Sequence, residues 1–200
     1  MMLGQTNFSF SMNTLLSMTN PSGEWNPDWL ERGIRVHRTA TVDCGAVLGR
    51  GSVVWHYSHL RSSCVIGEQC TIGQGCYVDA DVQIGSRCKI ANTVQMYSGL
   101  KIGDEVFIGP NTTFTNDSWP RAAMNGELIQ FSSPERTLVE SGASIGAGCV
   151  ILPVRIGVGA MIGAGSVVTC DIPDYTRLIC RLTMEMEAIS NGQRTPTEGA

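Results

Sequence analysis

At 200 residues the chain is long enough for one domain with a sizeable core. Its net charge of −4 gives no electrostatic case for nucleic acid or an anionic membrane as a main partner. The 23 glycines and 6 % aromatic residues point to many tight turns and small side chains rather than a helical bundle.

In chain order, the opening MMLGQTNFSFSMNTLLSMTN lacks the basic start and long apolar stretch of a secretory signal, and no apolar run is long enough for a transmembrane helix. A cytoplasmic protein is the expectation. Asn26-Pro-Asp-Trp-Leu30 has the makings of a short helix, and residues 1–33 are read as an N-terminal extension without an assigned role.

From Val36 a six-residue beat begins: Val36, Val42, Leu48, Val54, Leu60, Ile66, Ile72, Val78, Ile84, Ile90, Met96, Ile102, Ile108 and Phe114. Fourteen such hits at a preset phase have a chance on the order of 10⁻⁸. Four residues after each beat the chain is mostly small, as at Ser52, Ser58, Cys64, Cys70, Cys76 and Cys88. Large and small residues at fixed offsets fit a narrow prism whose three faces are short strands. Glycines often follow the large residue, as tight corners want. Three hexads make one coil, and coils stack at strand spacing, ~4.8 Å.

Of the eight cysteines, Cys64, Cys70, Cys76, Cys88 and Cys149 take the small inward slot, where a free thiol packs as a small hydrophobe. There is no CxxC pair to support zinc, and a bridge between Cys70 and Cys88, which are 18 apart and stack directly, would be geometrically awkward, so reduced cysteines are expected. After Phe114 the beat is lost for 24 residues; it resumes at Val139, Ile145 and Ile151, then slips by one to Ile156, Ile162 and Val168. An excursion that leaves the prism and rejoins it is an external loop, about 115–138, on a continuing scaffold, and such loops are where function concentrates.

WHYSHL (Trp55–Leu60), IGQGCYV (Ile72–Val78), VFIGPNTTFTNDSWPR (Val106–Arg121) and PERTLVESGASIGAGCVIL (Pro134–Leu152) resemble left-handed β-helix N-acetyltransferases. More narrowly, they resemble the enzymes that acetylate the 3-amino group of UDP- or dTDP-linked amino sugars for surface polysaccharides. The resemblance covers about Val36 to Tyr175, which gives a domain at 34–175 and a tail at 176–200. It implies an all-β left-handed parallel β-helix, a homotrimer, acetyl-CoA as cosubstrate, and a nucleotide-sugar held between neighbouring subunits. Two departures mark the last coils: ILPVRIG lacks the glycine the family carries there, and the usual closing turn is replaced by TRLICRLTMEMEAIS.

Acetyl transfer to an amine needs a neutral amine, a thioester held beside it and a donor for the oxyanion. Asn116 matches the Asn of the family's FTN motif and is expected to orient the sugar amine. Asp117 is expected to hold a ring hydroxyl or accept a proton, although an Asn-Asp pair also caps turns. Trp119 and Arg121 suit a ring and a diphosphate, or pin the loop. Asn92, Tyr97 and His59 are further substrate candidates. Gly142-Ala143 and Gly163-Ala164 are expected to let a pantetheine arm lie against the coils. Among Arg155, Arg177 and Arg181, Arg177 is chosen for the CoA phosphates.

A γ-class carbonic anhydrase, also a β-helix trimer, needs three zinc histidines; only His37, His56 and His59 exist, and none follows residue 59, so no metal is expected. The same absence disfavours an O-acetyltransferase, which resembles its kin in using a histidine base on a hydroxyl. A catalytically silent β-helix scaffold is the remaining alternative.

Overall fold

The computed structural model describes residues 27–124, 127–128 and 135–179. Nearly all of them form a parallel solenoid of two- and three-residue strands. The first face runs from Arg35–Val36 through Val53–Val54, Thr71–Ile72, Lys89–Ile90, Phe107–Ile108, Ser144–Ile145 and Met161–Ile162 to Arg177–Leu178. The second runs from Thr41–Val42 to Val167–Val168 and the third from Val47–Leu48 to Arg155–Ile156. This makes seven coils and the first strand of an eighth. The wall extends to Leu178, slightly past the expected end at 175, and the excursion rejoins it at Thr137, whose strand pairs with Leu100–Ile102.

The beat residues fill the lumen. Thirteen of the fourteen are buried and Val42 is partly so. Each fully buried Ile or Leu contributes about 1.5–3 kcal/mol. The N-terminal end is covered by a short helix, Pro27–Glu31, whose Trp29 packs on the core while Arg32 donates to the Leu48 carbonyl at 2.7 Å. That gives part of the extension a capping role, since an open solenoid end exposes its core. The remainder of the extension and the tail from 180, with Arg181, lie outside the described residues.

All five inward cysteines are buried. They do more than fill space. Ser52, Ser58, Cys70, Cys76 and Cys88 each donate from their hydroxyl or thiol to a carbonyl fifteen residues on, at a corner of the next coil. Thr112 and Cys149 reach the equivalent carbonyls of Gly146 and Gly163. A polar acceptor facing the lumen thus gains a donor, which a purely apolar slot residue would deny it. Burial pushes the Cys64 thiol up to about 12 and that of Cys76 up to about 11. The neighbours Cys70 and Cys88 split: the Cys88 thiol lowers Cys70 to about 7, and Cys70, with burial, drives Cys88 up.

The three edges of the prism differ. The third edge, between the third and first faces, carries Gly49, Gly67, Gly85 and Gly103 directly after the beat. The reason is close stacking rather than backbone conformation: a Cβ on Gly67 would sit 2.5 Å from the Gly85 carbonyl group. The left-handed residues stand three positions after the beat on all three edges, where nine non-glycine residues from Tyr57 to Tyr175 hold φ between 54° and 61°. Such residues cost about 1–2 kcal/mol each. Ladders between successive coils offset part of this, as in Ser63 to Asp81 at 2.9 Å and Arg87 to Glu105 at 2.9 Å.

The second edge, between the second and third faces, has no glycine directly after the beat. Its column reads Asp43, Arg61, Asp79, Tyr97, Thr115 and Leu152. His59 Nε2 donates to Asp43 at 2.9 Å, Arg61 pairs with Asp43 at 3.3 Å and donates to the Tyr77 hydroxyl, and that hydroxyl donates to Asp79 at 3.1 Å. This network sews coils one to three together. The hydrogen bond from His59 holds the Asp43 carboxyl below its ordinary value, with the charges of His59 and Arg61 adding to it.

Two outcomes follow. Gly67→Ala forces two backbones apart and is expected to lower stability by ~1–3 kcal/mol. Gln69→Gly, two residues on at a left-handed position, is expected to change it by less than ~1 kcal/mol in either direction. Urea unfolding of the two variants checks this. For Asp43, the folded carboxyl titrates below its unfolded value of 3.8, so its contribution is present above that value and is lost as pH falls through the folded one. Asp43→Asn is therefore expected to destabilise near neutrality and to match the parent in strong acid, measured as urea midpoints across pH.

Candidate functional site

The first edge, between the first and second faces, changes character along its length. It presents His37, Arg38 and Thr39, then Trp55, His56 and Tyr57. The His37 and His56 rings stack at 3.5 Å and Trp55 continues the stack. Burial and the neighbouring His56 lower the His37 pKa. From the third coil on, the edge carries small residues: Gly73, Ala91 and Gly109 follow the beat. The step from Trp55 to glycine leaves a depression of about 290 Å³, floored by Gly73 and Ala91 and ringed by Trp55, Thr71, Lys89, Asn92 and Pro110.

This depression suits an aromatic ring joined to an anion. Trp55 offers an exposed ring face, and Lys89 has no ion-pair partner among the described residues. The Asn92 carbonyl oxygen accepts from the Gln74 backbone N–H at 3.0 Å, which leaves its amide hydrogens for a ligand. Of these residues the sequence singled out Asn92 alone. Trp55 and Lys89 were legible in principle, because Trp55 stands where later coils carry glycine or alanine.

Further along the same edge lie Gly146-Ala147-Gly148 and, one coil on, Gly163-Ala164-Gly165. A Cβ at Gly148 or Gly165 would meet nothing within 4 Å, so this strip is open. Gly163 and Ala164 belong to it. Gly142 and Ala143 do not: Gly142 stands at the third edge over Gly159, and Ala143 is wholly buried in the lumen. Their place in the strip is taken by Gly146 and Ala147, which the repeated Ile-Gly-Ala-Gly at 145–148 and 162–165 could have revealed. Arg177 projects from the first face beside Met161, at the far end of the strip.

Asn116, Asp117 and Tyr97 stand on the second edge, across the width of the second face from Asn92. The Asn116 amide donates to the Ser98 hydroxyl at 3.3 Å, and its backbone carbonyl accepts from the Glu135 N–H at 3.0 Å. Asp117 accepts from the Trp119 N–H at 2.8 Å, so one carboxyl oxygen caps a turn. Ser118 bonds to the Glu135 carboxylate, closing the base of the excursion. Beyond it Trp119 is 80 % exposed and Arg121 is exposed. The excursion also carries a two-strand antiparallel pair, Ala123–Met124 with Glu127–Leu128. Tyr97 packs on Tyr77 with ring centroids 5.7 Å apart, and His59 meets the far edge of Tyr77. His59 is three coils from the level of Asn116, roughly 14 Å at ~4.8 Å per coil.

One chain therefore holds two candidate half-sites on different edges: a depression and open strip on the first, and Asn116 with the excursion on the second. Among the described residues no group of three His, Cys, Asp or Glu side chains could hold a metal ion, and no helix is long and apolar enough to cross a membrane.

Comparison with known proteins agrees with this architecture. A bifunctional protein GlmU of Alkalilimnicola ehrlichii is 31% identical over 150 residues, spanning 74% of this chain and 29% of that protein. The GlmU of Methylococcus capsulatus is 32% identical over 143 residues, 71% of this chain and 28% of that one. The chain thus spans under a third of the length of these two relatives. Among solved structures, AntD, an N-acyltransferase from Bacillus cereus in complex with dTDP and 3-hydroxybutyryl-CoA, aligns with a TM-score of 0.52 at 22% identity, covering 76% of this chain and 82% of that one. A UDP-N-acetylglucosamine acyltransferase aligns at 0.59 with 17% identity, covering 72% and 56%. At those identities the likeness is one of fold. Residues 45–80 and 81–116 match the bacterial transferase hexapeptide (six repeats), and residues 136–170 match the hexapeptide repeat of succinyl-transferase. These matches take in more than half of the 200 residues, and the chain belongs to the hexapeptide-repeat transferases.

Proposed function

We propose that the chain is an acetyl-CoA-dependent N-acetyltransferase acting on the 3-amino group of a nucleotide-linked amino sugar, working as a homotrimer in the cytoplasm. The observation that carries this reading is the separation of the half-sites. Asn116 and the excursion line one edge, the depression beside Trp55 and Lys89 lines another, and a site with both needs the first edge of one subunit against the second edge of its neighbour. A threefold ring supplies that contact three times.

The depression takes the nucleotide, with its base against Trp55 and a phosphate at Lys89. Asn92 donates from its amide, and Tyr97 with the exposed Trp119 and Arg121 closes over the sugar from the neighbouring subunit. The open strip fits a narrow, extended chain ending in phosphates: Gly146 to Gly148 and Gly163 to Gly165 leave room for pantetheine, and Arg177 meets its charged end. When bound, acetyl-CoA supplies the activated acetyl group. This chain's residues hold the amine beside it, and alignment alone is worth on the order of 7–11 kcal/mol at best. Asn116 accepts a hydrogen bond from the amine, and water takes its proton after attack.

An amine is a strong enough nucleophile to react without a dedicated base, whereas a hydroxyl needs one. His59 is held by Asp43 and lies three coils from Asn116. That arrangement supports amine over hydroxyl as the acceptor. One structural neighbour lends support, AntD, an N-acyltransferase in complex with dTDP and 3-hydroxybutyryl-CoA.

The test is release of CoA, read with a thiol reagent, from acetyl-CoA offered with UDP- and dTDP-linked 3-amino sugars beside serine and simple hydroxylated sugars. Release with an amino sugar alone is expected. Release with the hydroxylated acceptors overturns the N-acetyl reading, and no CoA binding at all favours a silent scaffold. Asn116→Ala is expected to cut turnover by about 100-fold while the trimer, followed by sedimentation, stays intact.

A further inference from the structure

We propose that His37 is a positioning residue that holds the Trp55 ring in place for the nucleotide, and that it does so only while neutral. The inference rests on the nucleotide reading of the depression given above. Along the first edge the left-handed residue of each later corner is tied by main chain. The N–H groups of Gly75, Thr93, Asn111, Gly148 and Gly165 each donate to a backbone carbonyl of the preceding coil. The corner of Trp55, His56 and Tyr57 departs from this. Its left-handed residue, Tyr57, donates from its N–H to the Thr39 hydroxyl at 3.1 Å, and that hydroxyl lies 3.0 Å from His37 Nδ1. The His37 ring stacks on His56 at 3.5 Å, and the Trp55 ring lies within 9° of parallel to His56.

These bonds fix the protonation state of His37. A backbone N–H can only donate, and that of Thr39 points at Nδ1 at 3.3 Å, so Nδ1 carries its lone pair. The Thr39 hydroxyl, already accepting from Tyr57, donates its hydrogen to the same nitrogen. A proton on Nδ1 would set N–H against N–H and turn that hydroxyl away. The titratable and charged groups facing His37 are His56, from the next coil, and Arg38, from its own corner; Tyr57 lies beyond His56, the two rings 6.2 Å apart. None of them is a carboxylate that would stabilise a charged imidazole. Burial first, then His56 and Arg38, hold the His37 pKa below its ordinary 6.5. The stack is therefore intact above that value and is lost as pH falls through the folded one. His37 does not line the depression and stands on the far side of Trp55 from Gly73 and Ala91, so it acts on a nucleotide through the ring it positions.

The test is calorimetric binding of UDP-glucose and dTDP-glucose, which carry a nucleotide but no amine to titrate, to the parent, His37→Phe, His37→Asn and Trp55→Ala. In the parent, Kd for whichever nucleotide-sugar binds is expected to rise about tenfold from about pH 7.5 to about pH 5. In His37→Phe, which keeps a ring, and His37→Asn, which keeps an acceptor for the Thr39 N–H, the rise falls below about twofold. The chain has three histidines, so the proton signal that His37→Asn removes identifies His37 by NMR. That signal is expected to titrate below 6.5 and to move lower still when the nucleotide-sugar binds. A parent-like pH dependence in a folded His37 variant overturns the proposal, as does tighter binding in acid or a midpoint that ligand leaves unmoved. If these results come with weakened binding in Trp55→Ala, the nucleotide reading stands without His37. Parent-like binding by Trp55→Ala, or no binding of either nucleotide-sugar, removes the nucleotide from Trp55 and this inference with it.

Discussion

Everything in this molecule depends on one spacing: each coil must lie against the next at the distance of a backbone hydrogen bond, around the whole prism. The lumen is then only as wide as one large and one small side chain per hexad. The same spacing leaves no room for a Cβ at Gly49, Gly67, Gly85 or Gly103, which form a run along the third edge. It also demands a left-handed residue at the corners, supplied at a cost of conformation by residues as unlike as Tyr57, Asp81 and Arg87. The second edge carries side chains after the beat throughout, whereas the first carries large ones only at His37 and Trp55 before it turns to glycine and alanine, and these two edges carry the candidate half-sites.

The lumen is less oily than its beat suggests. Carbonyls at the corners point toward slot residues of the preceding coil, and serine, threonine and cysteine meet them. Cysteine suits this slot because it packs like a small hydrophobe and still offers a weak S–H donor. The accumulation of buried thiols follows from that geometry and needs neither a metal nor a disulfide to account for it.

The solenoid, its register and the position of the excursion were readable from Val36 to Phe114 because a period of six repeats one physical demand fourteen times. The role of the glycines after the beat was readable only in part. Their spacing marked corners, but close stacking and left-handed backbone are separate demands two residues apart, and a one-dimensional pattern does not separate them. Gly142 was misgrouped with Gly163 for a related reason: both follow hexad corners, but the corners are different edges, which appear only when the chain is folded modulo a coil. Tyr97 and Asn116 do share an edge, as their 19-residue separation implies, whereas Asn92 faces away across the second face. The depression is defined by what Gly73 and Ala91 lack beside Trp55, a contrast that shows only when the residues after the beat are aligned coil by coil.

The shortened last coils test how far the spacing governs. Where earlier coils repeat every 18 residues, Ser144 pairs with Met161, Val150 with Val167 and Leu138 with Arg155, each 17 apart. The missing residue lies between Ile151 and Ile156, at the second edge, and a further shortening between Val168 and Ile172 falls at that edge again. Arg155 braces the altered turn: its backbone N–H donates to Asp171, and its guanidinium bonds Glu140 at 3.1 Å and Asp174 at 2.8 Å. Glu140 stands where the third edge otherwise carries glycine, so the brace occupies space that earlier coils cannot offer. Because the loss is taken up at the second edge, the first edge keeps its register, and Gly146-Ala147-Gly148 still stacks on Gly163-Ala164-Gly165. The absent glycine therefore leaves the open strip intact, and the departure in sequence is compatible with the proposed seat of the pantetheine arm.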